Sequence, residues 1–117
     1  MTDETPPTET SIAHRYAAAI NAADIDALMA LFADDGVLLH PAGVFADRAA
    51  MAGFYTDAVF AGKAVIEVVA TARDGNREWA QIEATSPLSE DGERMYAADV
   101  FELDDAGRIV RLAIYYR

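Results

Sequence analysis

Hydrophobic and polar positions change rhythm half-way along this chain. In the first half, apolar residues recur every three or four positions. Ile12, Tyr16, Ala19 and Ile20 fall on one face at helical spacing, with Thr10 or Ser11 placed to cap the helix and Ala22 near its end. Asp24 is placed to cap a second helix whose Ile25, Leu28, Met29 and Phe32 face inward, and Asp34-Asp35-Gly36 ends it. Residues 37–39 read as a short strand, and His40-Pro41-Ala42-Gly43 as the turn after it. Asp47 caps a third predicted helix, with Met51, Phe54, Tyr55 and Val59 on its buried side and Gly62 near its end.

The second half alternates instead. Residues 64–73, 78–86, 95–103 and 109–116 read as strands, and the breaks between them, Asp74-Gly75-Asn76, Asp91-Gly92 and Asp104-Asp105-Ala106-Gly107, carry hairpin chemistry. Helices first and hairpin-linked strands afterwards predict an α+β fold, with the helices on one face of a curved antiparallel sheet. The last strand sets Val110, Leu112, Ile114 and Tyr116 on one face and Arg111, Ala113, Tyr115 and Arg117 on the other. Tyr96, Ala98 and Val100 keep the second face of the preceding strand partly apolar, and Trp79 lies opposite Ala80 and Ile82. A sheet apolar on both faces packs against something on each, so a homodimer through the sheet is expected.

Length and charge narrow the field. A chain of 117 residues fits one domain, with a polar, disordered lead-in at residues 1–9 and a single domain over 10–117. A 53% hydrophobic composition is enough for one core. The net charge of −11 argues against nucleic acid and against an anionic membrane surface as partners. The absence of cysteine excludes disulfides and thiolate chemistry. No apolar run is long enough to span a membrane, and the acidic N-terminus is unlike a signal peptide, so a cytoplasmic location is expected. Nothing in the chain calls for a metal or an organic cofactor.

One residue breaks the pattern. Met95, Ala97, Asp99, Phe101 and Leu103 share one face of a strand, and four of the five are apolar. A carboxylate on such a face is costly unless it is paired, hydrogen-bonded or protonated, which marks Asp99 as a candidate functional group. Tyr16 lies on the apolar stripe of the first helix. His40 precedes a proline, which holds its backbone extended.

These three residues gain meaning from a resemblance. The stretch from Arg15 to Leu28, followed by Ala30-Leu31-Phe32-Ala33-Asp34-Asp35, resembles the opening of bacterial ketosteroid isomerases. The resemblance continues through Pro41-Ala42-Gly43, Gly53-Phe54-Tyr55, Asp99-Val100-Phe101 and Ala106-Gly107-Arg108-Ile109-Val110. Those enzymes belong to the nuclear transport factor 2-like, or polyketide cyclase-like, superfamily, which implies a cone-shaped α+β fold. It further implies that Tyr16 and a protonated Asp99 form an oxyanion hole and that Tyr55 hydrogen-bonds Tyr16. Phe32 stands where some members carry another tyrosine. The family's base is an aspartate in an Asp-Pro-x-Gly turn, where this chain has His40-Pro41-Ala42-Gly43.

The expectation is therefore a small apolar pocket in which His40 is the base and Tyr16 and Asp99 hold the oxyanion. Tyr55, Phe32, Met51, Phe54, Phe101 and Tyr116 are expected to line it around a small apolar ligand bearing a carbonyl. Allylic isomerisation of a 3-oxo-Δ5-steroid is the reaction the resemblance implies. Dehydration or cyclisation of a polyketide-like substrate, and non-catalytic binding of a steroid-like molecule, are the alternatives.

Overall fold

The computed structural model describes residues 11–89 and 92–116. The expected lead-in at 1–9, Thr10, Asp91 of one predicted hairpin and Arg117 lie outside the described residues. Three α-helices lie in the first half of the chain: α1 (Ile12–Asn21), α2 (Ile25–Ala30) and α3 (Arg48–Phe54). Each has a side-chain cap at its N-terminus. Ser11 accepts from the amide of His14, Asp24 from that of Ala27 and Asp47 from that of Ala50. Beyond Phe54 the helix widens into a π-helical turn, Tyr55–Phe60, with the amides of Ala61 and Ala64 bonding to carbonyls five residues back.

The strands are β1 (Phe32–His40), β2 (Gly43–Phe45), β3 (Val65–Asp74), β4 (Arg77–Thr85), β5 (Met95–Leu103) and β6 (Ile109–Tyr116). They form one sheet in the order β2-β1-β6-β5-β4-β3. All neighbours are antiparallel except β1 and β6, which run parallel. The predicted α+β class and the four long strands are present. No helix among the described residues is long and apolar enough to cross a membrane.

Two boundaries differ from expectation. The second helix stops before Phe32, and the short strand expected at 37–39 begins there instead. The cause is the distant partner: the amide of Ile109 bonds the carbonyl of Leu31 at 2.8 Å and draws the chain into parallel pairing with β6. Asp34 and Asp35 then fall in a register shift rather than a turn. Gly36 is required there, because a Cβ would sit 2.8 Å from the carbonyl oxygen of Ile109.

Helices and sheet enclose one core containing Ile12, Leu28, Phe32, Leu38, Met51, Phe101 and Leu112. Polar clamps fix the layers. Asn21 exchanges two hydrogen bonds with the backbone of Ile66, at 2.9 and 2.8 Å, tying α1 to the edge strand β3. The Arg48 guanidinium donates to the carbonyls of Met29 and Ala33 at the end of α2 and the start of β1. Glu78 lies on the core face of β4 and is almost fully buried. Its carboxylate accepts the Ala13 amide of α1 at 3.0 Å and lies 3.6 Å from Arg73. Without that carboxylate an amide at the helix start would lose its partner, a cost of about 1–3 kcal/mol. On the outer face of the sheet, Trp79 and Tyr115 stand exposed.

Candidate active site

Asp99 occupies the core face of β5, as its alternation predicted, and only 3% of it is exposed. Its neighbours across the ladder are Ala80 on β4 and Ile114 on β6, neither of which offers a side-chain donor. Among the described residues nothing donates to Oδ1. Burial without a donor penalises the charged form and pushes the carboxyl up to about 7.

Tyr16 comes from α1 and packs its ring edge-on against Phe101, with centroids 5.5 Å apart. Its hydroxyl lies 2.8 Å from that of Tyr55, the first residue of the π-helical turn. Burial, the Tyr55 hydroxyl and the Asp99 carboxyl all push Tyr16 well above the usual phenol range, so it stays a protonated donor. Tyr55 is likewise pushed up by burial.

His40 ends β1 on the same face as Leu38. Extending the β1–β6 register by one residue sets it level with Ile114, which in turn pairs with Asp99. Two strand spacings, about 10 Å of backbone, thus separate His40 from Asp99. The imidazole packs at a tilt against Phe54, with centroids 4.7 Å apart, and meets Tyr116 edge-on at 5.4 Å. Its Nδ1 accepts the Ala42 amide at 2.9 Å, and its Nε2 lies 3.1 Å from the Tyr116 hydroxyl. Partial burial lowers its pKa from the usual value. His14 is exposed on α1.

Tyr16, His40 and Asp99 all open onto one cavity of about 630 Å³. Tyr55, Phe54 and Tyr116 line it too, as expected. Further wall comes from Ala58 and Val59 of the π-helical turn and from Leu88 and Ser89 in the β4–β5 connection. The period of the third helix includes Val59, but neither the π turn nor the loop had a signal that marked it as wall. Phe32, Met51 and Phe101 correct the expectation: they are fully buried behind the cavity and not in its wall. A face pattern tells inward from outward but not depth. Phe101 supports the Tyr16 ring, and Phe32 lies against Tyr55 with centroids 6.4 Å apart.

The SnoaL-like domain model matches residues 13–112. The chain belongs to the SnoaL-like family. Solved structures share its fold. A candidate polyketide cyclase from Sinorhizobium meliloti superposes with a TM-score of 0.79 at 24% identity, covering 94% of this chain and 99% of that one. A candidate ketosteroid isomerase from Kribbella flavida gives 0.77 at 20% identity, over 91% of this chain and 75% of that one. RV0760c of Mycobacterium tuberculosis, solved in complex with estradiol-17beta-hemisuccinate, gives 0.76 at 16% identity, over 91% of each chain. This SnoaL-like protein therefore has the nuclear transport factor 2-like fold that its sequence resembles.

Asp99 makes a testable demand on stability. Its native pKa, about 7, lies above the ordinary 3.8, so between those values the folded state binds more protons than the unfolded one. Stability conferred at low pH is lost as pH rises through about 7, a change of roughly 4 kcal/mol. Asp99→Asn removes the titration. Urea melts are expected to show the variant gaining several kcal/mol over wild type at about pH 8 and little at about pH 4. A difference between the two proteins that does not vary with pH would contradict the shift.

Proposed function

We propose that this protein is an acid–base enzyme that moves a proton beside the carbonyl group of a small, flat, largely apolar molecule. The observation that carries this is the Asp99 carboxyl, buried without a donor in the wall of an apolar cavity. A carboxyl that titrates near neutral pH is suited to take a proton as carboxylate and return it as acid. The hydroxyl of Tyr16, paired with that of Tyr55, supplies a donor for the oxygen that gains charge as the proton leaves.

An allylic isomerisation balances with that one base. The carboxylate takes a proton from the carbon between the carbonyl and the double bond, and the C–H electron pair moves into a dienolate. The new carboxylic acid returns the proton to the far carbon of the dienolate. That step forms the new C–H bond, re-forms the carbonyl and leaves a carboxylate. The cavity volume falls within the range of small-molecule sites, which supports a 3-oxo-Δ5-steroid as substrate. So does the likeness to RV0760c, whose solved complex holds a steroid ester. The likeness to a candidate polyketide cyclase supports a second substrate class, a polyketide-like chain closed by the same proton transfer.

A second assignment of roles keeps Asp99 protonated as an oxyanion donor beside Tyr16, with His40 as base. The placement of His40 and Asp99 on one cavity favours it. It requires His40 to release the Ala42 amide, since the proton of the neutral ring is on Nε2. The sign of the pH dependence separates the two assignments.

Isomerisation of a 3-oxo-Δ5-steroid, followed by absorbance of its conjugated product, is expected to rise with pH through about 7 and then level. Asp99→Asn is expected to lower it by about a hundredfold or more. A rate that falls above about 7 would give Asp99 the donor's role. No turnover of this steroid, with cyclisation of a poly-β-keto ester, would move the substrate to the polyketide class. No turnover of either would remove the enzyme reading.

We also propose that two copies pair through the outer face of the sheet. Trp79 and Tyr115 stand exposed there around the small side chains of Ala70, Ala72 and Ala98. Sedimentation is expected to give a dimer that Ala98→Arg splits, and a monomeric wild type at high concentration would rule the pairing out.

A further inference from the structure

The turn after β1 decides what His40 can do. β1 and β2 pair His40 with Gly43, so Pro41 and Ala42 are the two turn residues. Proline has no N–H. The first amide in the turn belongs to Ala42, and it points back to Nδ1 of His40 at 2.9 Å. A backbone amide only donates, so Nδ1 must present its lone pair to it. A neutral imidazole then carries its proton on Nε2, and Nε2 donates to the Tyr116 hydroxyl at 3.1 Å. A proton added to Nδ1 would face the Ala42 N–H. The ring therefore resists a second proton and turns no free lone pair toward the cavity.

Tyr116 inherits the consequence. Its oxygen accepts from His40, and among the described residues its own proton meets no acceptor. Tyr116 belongs to the cavity wall, as does the His40 that its hydroxyl meets. Phe54 packs against the imidazole, and Phe45 stacks on Phe54 with centroids 4.7 Å apart, so the ring that orients Tyr116 is held from behind.

We propose that Tyr116 supplies a second hydroxyl, besides that of Tyr16, to hold the ligand's carbonyl oxygen, and that His40 is its positioning residue, acting as a fixed Nε2–H donor and not as a proton acceptor. This rests on the carbonyl ligand proposed above. A donor behind a phenol polarises its O–H and strengthens the hydrogen bond it gives. As charge grows on the ligand's oxygen, the Tyr116 proton is drawn toward it and the Nε2–H steadies the phenol oxygen left behind. No proton leaves the imidazole. Burial and the Asp99 carboxyl raise the pKa of Tyr116, which keeps it a donor. Histidine at position 40, where the ketosteroid isomerases that the sequence resembles carry an aspartate base, thereby gives a donor pair in place of a base.

Two measurements on the full chain test this. Nitrogen-15 NMR of the His40 ring is expected to show the Nε2–H tautomer, neutral at pH 7. Calorimetric binding of a 3-oxo-Δ4-steroid, which carries the carbonyl but is not turned over, is expected to weaken about tenfold in Tyr116→Phe and in His40→Leu. His40→Gln is expected to recover most of that affinity, because an amide N–H can donate to Tyr116 but cannot take a proton. An Nδ1–H tautomer, an imidazolium at neutral pH, or wild-type affinity in Tyr116→Phe would overturn the assignment. Steroid turnover with unchanged affinity in Tyr116→Phe would remove the role of Tyr116 alone. Absence of steroid binding by the wild type would remove that role together with the proposed steroid substrate.

Discussion

The site depends on a buried carboxyl group whose Oδ1 meets no donor among the described residues. The fold holds another buried carboxylate on the same sheet face, and the contrast is instructive. Glu78 meets the Ala13 amide of α1 and the Arg73 guanidinium, and so serves as a structural anchor between helix and sheet. Asp99 sits between Ala80 and Ile114, which give it nothing. Residue type does not separate the two groups; the supply of donors does. A carboxyl left in that position costs the fold stability once it ionises, and it gains a pKa near the pH of the cell.

Everything around Asp99 suits a group of that kind. Tyr16, Tyr55 and Tyr116 are all raised above the usual phenol range, so they donate hydrogen bonds without titrating. His40 is lowered and held by Ala42, so it stays neutral. Among the described residues that line the cavity, Asp99 is then the group whose proton is free to move near pH 7. Apolar side chains such as Ile20, Val59 and Ile82 fill much of the remaining wall, and in that setting a few hydroxyls act more strongly than they would in water.

Much of this was legible in the residues. Asp99 stood out because a strand's period of two is strict, and the hairpin turns fixed the order of the last four strands. The extent of β1 was not legible, because its partner is Ile109 on a strand far along the chain. The same period-two reading applies to Glu78 beside Ala80 and Ile82, but its partner lies 65 residues away at a helix start. Phe32, Met51 and Phe101 were rightly inward and wrongly in the wall, since alternation carries no depth. The state of His40 was the least legible, because it depends on which way one amide in a two-residue turn points.

The most direct measurement is the titration of the Asp99 carboxyl itself, by carbon-13 NMR of the side-chain carbon in the ligand-free protein. A midpoint near 7 is expected. A midpoint near the ordinary 3.8 would mean that Asp99 finds a donor in solution, and it would contradict the acid–base role that rests on its isolation.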